Sequence, residues 1–207
     1  EFWHFGQDLD AQPKLKGIYP NNIHVKELQN FNKIGNEVYK KLEKTAEVLL
    51  QAIALYLELG AFYFDSYIRE GNSILRAIHY PPITKAPNEA ERAAAHGDIN
   101  LITLLMGSQG GGLQVLNRNQ EWIDAIAGPD ELMINIGDML SRLTNNHLPS
   151  TIHRVVNPPP EEWGNARYSL PFFMHPIPQM PLNCLPQMID AAHPKKYEDI
   201  DAGTFLH

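Results

Sequence analysis

The chain has 207 residues, 43% of them hydrophobic and 20% charged, a length that fits one globular domain with its own core. Its 17 Lys and Arg against 24 Asp and Glu give a net charge of -7, which argues against nonspecific nucleic-acid binding because such binding neutralises phosphates. A single cysteine excludes a disulfide framework and a cysteine-ligated metal site, and no apolar run approaches the ~20 residues of a membrane span. We therefore expect a cytoplasmic protein that binds neither nucleic acid nor membrane.

The first part of the chain predicts irregular structure followed by helices. Residues 1–24 mix aromatic residues, glycine and proline without a period, and so abrupt a start suggests that something upstream is missing. From Val25 to Leu59 apolar residues recur at three- and four-residue steps, which predicts a long amphipathic helix ending at Gly60. A short second helix is expected from Phe62 to Arg69. The apolar positions of the long helix are Leu28, Phe31, Ile34, Val38, Leu42, Thr45, Leu49 and Ile53.

After Gly71 the pattern changes to short strands separated by turns. Many short strands after one helical block predict a mainly β fold, a sandwich or a jelly roll with a helical layer. The glycines at 110–112 are expected to form a turn, and the proline-rich tail is expected to hold a helical turn at 186–191. The predicted strands are Ser73–Tyr80, Leu101–Met106, Leu113–Leu116, Trp122–Ala125, Leu132–Asn135, Thr151–Val156 and Arg167–Phe173.

A candidate metal site lies at His96 and Asp98, two residues apart, with His153 on a later strand. Residues at i and i+2 of a strand point to the same face, so an imidazole and a carboxylate would converge inside a barrel. Two histidines and one carboxylate form the facial triad of non-haem Fe(II) oxygenases, which leaves the other metal positions open. His147 is an alternative third ligand, although it lies in a loop.

Arg167 and Ser169 have the same i, i+2 spacing, so a guanidinium and a hydroxyl would share one strand face. Such a pair can hold a carboxylate, with two hydrogen bonds from the arginine and one from the serine. Phe173 should lie on that face too, lining a substrate pocket or packing in the core. His79 and His175 face either the pocket or structural hydrogen-bond partners.

These residues belong to a series of motifs that resembles the isopenicillin N synthase-like, 2-oxoglutarate/Fe(II)-dependent dioxygenase superfamily. The matching blocks occur in the family's order and at its spacing from Ile78 to Pro176, about half of the chain. They are His79-Tyr80-Pro81-Pro82, His96-Gly97-Asp98, Leu101 to Leu105, Gly111 to Val115, Asn135 to Asp138, Thr144 to Asn146, Ser150 to Val155, and Arg167 to Phe173.

The resemblance implies a distorted jelly roll with the long helix packed outside it. Residues 1–207 would form one catalytic domain that lacks the family's N-terminal module. Residues 1–72 would be an irregular start plus a helical layer, 73–176 a jelly-roll core and 177–207 a C-terminal tail. A helix that covers the site in many relatives would also lie beyond the end of the chain.

The resemblance further implies site residues and cofactors. His96, Asp98 and His153 would bind Fe(II), while Arg167 and Ser169, helped by Tyr80, would hold the distal carboxylate of the cosubstrate 2-oxoglutarate.

Two departures from the family pattern affect the expected site. Ile78 and His79 replace the usual Asn and Tyr, which removes one polar contact to the cosubstrate. Gly97 replaces the usual Thr between the metal ligands and should free space beside the metal.

The expected activity is oxidation of an unidentified small molecule by dioxygen, most simply hydroxylation, with release of succinate and CO2. Two alternatives stay open. An oxidase like isopenicillin N synthase takes its electrons from the substrate alone, and a jelly-roll module with a structural metal has no turnover. The oligomeric state is also open.

Overall fold

Two antiparallel β-sheets, one covered by a long helix, form the fold in the residues that a computed structural model describes, 1–107 and 111–206. The strands are β1 (Phe2–Phe5), β2 (Ile74–Tyr80), β3 (Ala93–His96), β4 (Ile102–Met106), β5 (Leu113–Leu116), β6 (Trp122–Asp124), β7 (Leu132–Ile136), β8 (His153–Val155) and β9 (Arg167–Met174). The helices are α1 (Phe31–Tyr56), α2 (Asp65–Ile68), α3 (Asp138–Leu143) and α4 (Ala202–Phe205), with 3-10 turns at Pro13–Leu15, Pro160–Glu162 and Pro186–Met188.

The larger sheet has the strand order β1-β2-β9-β4-β7, and the smaller sheet has the order β3-β8-β5-β6. Their inner faces enclose a cavity, as in a jelly roll, so the mainly β fold with an outer helix is confirmed. Of the glycine turn predicted at 110–112, residue 110 lies outside the described residues. Gly112 has φ 101°, in the left-handed region that favours glycine.

The long helix buries a face shifted by about one residue from the predicted one. Its buried positions include Tyr39, Leu42, Ala46 and Leu50, whereas the predicted Ile34 is 56% exposed. Small residues such as Ala46 bring the helix axis close to the sheet, and the larger apolar side chains then pack at the margins. Periodicity therefore predicted the helix correctly but not the centre of its buried face.

The helix packs on the outer face of the larger sheet. Tyr39 meets the Phe172 ring edge-on at 5.2 Å, and its hydroxyl donates to the Ser73 carbonyl at 3.2 Å. Along β4 and β9 the side chains alternate between this core and the cavity. Leu104 and Phe172 are fully buried under the helix, so their strand neighbours face the cavity.

The prediction of irregular chain at the N-terminus was wrong for Phe2–Phe5. These four residues form β1 at the edge of the larger sheet, with His4 opposite Arg76 and Phe2 opposite Ile78. So short a strand has no readable period, and its pairing with β2 stabilises it. Helix α3 was missed for the same reason, since its six residues are less than two turns.

The structure contains no helix, in residues 1–107 and 111–206, that is both long and apolar enough to cross a membrane.

Candidate metal and cosubstrate site

The candidate site is a cavity of about 310 Å³ between the inner faces of the two sheets. Alternate residues of β9, from Arg167 through Ser169 to Phe173, line one wall, and alternate residues of β2, including Tyr80, lie beside them. A volume of this size is at the lower end of the range for small-molecule sites. The predicted common face of Arg167, Ser169 and Phe173 is present in the fold.

His96 and His153 lie directly opposite each other on the paired strands β3 and β8. Their ring centroids are 4.4 Å apart. Nδ1 of His96 donates to the Ala94 carbonyl at 2.7 Å, and Nδ1 of His153 donates to the Thr151 carbonyl at 3.0 Å. Because a carbonyl oxygen only accepts, both Nδ1 atoms carry a proton, which leaves the Nε2 atoms as the nitrogens available to bind a metal.

Asp98 lies two residues beyond the end of β3, in a loop, and is 7% exposed. The expectation that His96 and Asp98 share one extended strand was therefore wrong, although the loop still brings the carboxylate to the histidines. Asp98 Oδ2 accepts hydrogen bonds from Thr103 Oγ1 at 2.6 Å and Asn135 Nδ2 at 2.8 Å. Its Oδ1 lies 3.8 Å from His153 Nε2. Residues of the larger sheet thus hold Oδ2 by hydrogen bonds, and Oδ1 faces the imidazoles.

These three residues fit a single metal ion. One ligand atom from each lies within 4.8 Å of the others, a span that one ion can bridge after small side-chain rotations. Two neutral imidazoles and one carboxylate suit a divalent transition metal better than calcium or magnesium, which prefer oxygen ligands. The alternative ligand His147 lies elsewhere, with Nδ1 donating to the Thr144 carbonyl at 3.0 Å and its ring 5.3 Å from that of His193.

Arg167 and Ser169 form the other end of the cavity. Both are buried, with Arg167 only 2% exposed, and Arg167 lies opposite Tyr80 on the neighbouring strand. The Arg167 guanidinium carbon is 5.1 Å from the centre of the Tyr80 ring. Burial lowers the pKa of the guanidinium, while Tyr80 raises it. A buried guanidinium beside a hydroxyl is suited to bind a carboxylate.

Two predicted pocket histidines lie away from this cavity. His79 is on the opposite face of β2, where it stacks on Tyr168 at 5.0 Å and contacts the Glu1 carboxylate at 3.0 Å. Strand alternation explains this, since Tyr80 occupies the inward position. His175 follows β9 and is buried outside the cavity lining, with its backbone N–H donating to Ser73 Oγ. Burial lowers the pKa of His175 to about 4.

The two departures from the family motif change different parts of the site. Ile78 lines the cavity and lies opposite Ser169, so an apolar wall stands where the family has an amide. The expectation that Gly97 frees space beside the metal was wrong. A Cβ atom at Gly97 would lie 2.9 Å from Ser150 Oγ and 3.1 Å from Asp138 Oδ1, away from the cavity.

Four residues in or next to the site were missed in the sequence. Thr103 and Asn135 orient Asp98, and Asn100 in turn donates to Thr103 Oγ1 at 2.9 Å. Arg76 lines the cavity on the same face of β2 as Tyr80. The spacing of Arg76 and Tyr80, four residues apart on a predicted strand, was a signal for this shared face. Nothing in the sequence brings Asn135 near Asp98, because that contact depends on the pairing of β4 with β7.

Comparison with known proteins identifies the family of this chain. Residues 71–176 match the family model of the 2OG-Fe(II) oxygenase superfamily. A 2OG-Fe(II) oxygenase family protein from Caulobacter crescentus is 46% identical and superimposes with a TM-score of 0.90, covering 99% of this chain and 67% of the other. A full-length Neurospora crassa protein, solved in complex with α-KG and thymine, is 31% identical with a TM-score of 0.85, covering 99% of this chain and 62% of that one.

Among curated proteins, the 2-oxoglutarate-Fe(II) type oxidoreductase hxnY of Emericella nidulans is 33% identical over 189 residues. This match covers 87% of the present chain and 53% of hxnY. An Aspergillus fumigatus 2-oxoglutarate-Fe(II) type oxidoreductase is 32% identical, covering 83% of the chain and 50% of the relative. The chain therefore spans about half the length of these curated relatives.

Proposed function

The chain belongs to the 2OG-Fe(II) oxygenase superfamily, and on that basis we propose that it is an Fe(II)- and 2-oxoglutarate-dependent dioxygenase. The reaction would oxidise a small organic molecule, with hydroxylation as the expected outcome, and release succinate and CO2. The observation that carries the proposal is the placement of His96, Asp98 and His153 in the same cavity as Arg167 and Ser169.

His96, Asp98 and His153 would hold the iron through two Nε2 atoms and Asp98 Oδ1. When bound, Fe(II) would supply the redox chemistry for oxidative decarboxylation of 2-oxoglutarate and oxidation of the substrate. The hydrogen bonds of the two Nδ1 atoms keep both imidazoles in the ligating tautomer.

Arg167 and Ser169 would hold the far carboxylate of 2-oxoglutarate, so that its keto-acid end points towards the metal residues. Tyr80 contributes an aromatic surface against the guanidinium and limits its movement. Apolar side chains such as Leu105, Val115 and Met133 line the rest of the cavity and would exclude bulk water from the substrate.

The remaining expectations stay predictions. These are a cytoplasmic location, no nucleic-acid partner, and the division into an irregular start with a helical layer at 1–72, a core at 73–176 and a tail at 177–207. Limited proteolysis, with mapping of the first cleavage sites to residues near 72 or 177, would test the division.

Anaerobic titration with Fe(II) and then 2-oxoglutarate tests the function. We expect the visible metal-to-ligand charge-transfer absorption of a bidentate keto-acid complex at one equivalent of each. Exposure to air should then produce succinate. Iron binding without this absorption, and without succinate, would favour an oxidase that does not use 2-oxoglutarate. Absence of stoichiometric iron binding would overturn both enzyme hypotheses.

A further inference from the structure

A second arginine, Arg76, lies in the same cavity as Arg167 and is not needed for the assignments above. It projects inward from β2, with Ile78 and Tyr80 following at alternate positions of that strand. Burial has the largest effect on the pKa of the Arg76 guanidinium and lowers it, while Asp98 and Tyr80 raise this pKa. The cavity therefore contains a partly desolvated cation whose charge is felt at the metal end.

The Arg76 side chain is positioned by its neighbours on β1 and β9. Its Nε donates to His4 Nε2 at 2.7 Å, so that nitrogen of His4 is an acceptor and the imidazole is neutral. The guanidinium carbon lies 4.9 Å from the centre of the Phe2 ring and 5.1 Å from that of Phe173. These contacts orient the guanidinium without neutralising it.

No carboxylate within residues 1–107 and 111–206 forms an ion pair with Arg76. A cation in an apolar cavity is costly unless an anion balances it. In the loaded enzyme, the charges of Fe(II), Asp98, 2-oxoglutarate and Arg167 would cancel. Arg76 would then leave one positive charge in the cavity, next to apolar walls such as Leu113 and Val155.

We propose that Arg76 is a specificity-determining residue that binds the carboxylate of a small apolar acid, the substrate class of this site. The inference rests on the proposed function, because the charge balance assumes bound Fe(II) and 2-oxoglutarate. The cavity volume of about 310 Å³ limits the acid to a small molecule. The Phe173 ring, which lines the cavity beside the guanidinium, would contact its apolar part next to the carboxylate.

The test compares acids with their neutral amides. Phenylacetate, 3-phenylpropionate and hexanoate, each paired with its amide, are titrated by calorimetry into the protein loaded anaerobically with Fe(II) and 2-oxoglutarate. We expect at least one acid to bind about tenfold or more tightly than its amide. In Arg76→Gln this preference should disappear while amide affinity stays within about twofold.

Two further variants separate a specific contact from general electrostatics and from misfolding. Arg118→Gln removes the same charge from an exposed position and should keep the preference for the acid. Arg76→Lys keeps the charge but loses the two-pronged geometry, so it should retain a reduced preference. If Arg76→Gln does not fold, a reduced preference in Arg76→Lys and its retention in Arg118→Gln still support the contact.

Three results would overturn the proposal. These are equal binding of every acid and its amide, an acid preference that persists unchanged in the Arg76 variants, and loss of 2-oxoglutarate affinity in Arg76→Gln. The last result would place Arg76 in the cosubstrate site. Failure of the proposed function is recognised separately, by the lack of a charge-transfer band in the unmodified protein. Because the charge balance assumes that complex, lack of the band would overturn the inference as well, whereas a band with equal binding of acids and amides would overturn the inference alone.

Discussion

The two ends of the cavity are built in different ways. At the metal end, His96 and His153 come from the smaller sheet, while Thr103 and Asn135 of the larger sheet hold Asp98. The Arg167 end needs only one pair of neighbouring strands, since Arg167 lies opposite Tyr80 on β2. The metal end therefore depends on how the two sheets face each other, whereas the arginine end depends on the register of two strands.

The means of orientation differ as well. Directional hydrogen bonds to backbone carbonyls and to side chains orient the three candidate ligands. Arg167 is buried, and Tyr80 on the neighbouring strand positions it through its ring and a side-chain hydrogen bond. The metal end therefore presents three oriented ligand atoms, whereas the arginine end presents a buried cation beside a hydroxyl, which suits a carboxylate.

The largest effect is expected at the metal end, from the substitution Asp98→Ala. The carboxylate supplies the negative charge of the site, so stoichiometric Fe(II) binding should be lost, a change of more than about a hundredfold in affinity. The circular dichroism spectrum should be unchanged, because Asp98 is not part of the apolar core. Competition with a coloured Fe(II) chelator measures the effect.

A histidine pair provides the control for this end. His153→Ala should also lose iron, whereas His147→Ala should bind it normally, because His147 contacts Thr144 and His193 instead. The reverse pattern would contradict the assignment of His153.

Substitutions of Arg167 should weaken 2-oxoglutarate binding without affecting Fe(II) binding. Arg167→Ala should weaken 2-oxoglutarate binding by ~2 kcal/mol or more, about thirtyfold, through loss of a bidentate charge pair. Arg167→Lys should recover only part of this, because the fork geometry is lost. Anaerobic titration followed at the charge-transfer band gives both affinities, and Fe(II) binding should stay intact. Equal affinity in Arg167→Ala would assign the residue to a substrate carboxylate.

His175, which is buried directly after β9, should make the stability of the metal-free protein sensitive to acid. Its pKa is 6.5 in the unfolded chain and about 4 in the fold, so the unfolded state takes up the proton first as the pH falls. The stability that the neutral His175 contributes is fully present above pH 6.5 and is lost progressively as the pH falls to about 4. Between pH 7 and pH 5 the free energy of unfolding should fall by about 2 kcal/mol from this group.

His175→Gln is the comparison for that measurement, since the amide cannot titrate. Urea unfolding at both pH values should show a smaller loss of stability in the variant than in the parent. An identical loss in both proteins would show that other groups cause the acid sensitivity.

The smallest effect is expected from a residue that only orients a ligand. Thr103→Val removes the hydrogen bond to Asp98 Oδ2 but keeps the size of the side chain. Fe(II) affinity should fall about tenfold, in the range typical of outer hydrogen-bond partners. The matched control is Thr45→Val on the exposed side of α1, where the hydroxyl donates to the Lys41 carbonyl. Equal iron affinity in both variants would contradict the claim that directional hydrogen bonds orient the ligands at the metal end.

Sequence patterns predicted most of the larger elements. Each of the seven predicted strands overlaps an observed one, and the candidate ligands His96, Asp98 and His153 do come together. The errors lie in short elements and in side-chain direction. The strand Phe2–Phe5 and helix α3 are too short to show a period, and the direction of His79 required the register of β2.

By itself, the sequence determined the local features of this protein: a long amphipathic helix, a series of short strands, and residue pairs such as Arg167 and Ser169 on one strand face. These follow from the periodicity of helix and strand, which acts over a few residues. Only the tertiary structure decided which contacts form across the two sheets. Asn135 reaches Asp98, and Arg76 enters the cavity beside His4, because strands far apart in the chain pair and pack around a shared space. No local pattern encodes such pairing, since it depends on the packing of the whole core.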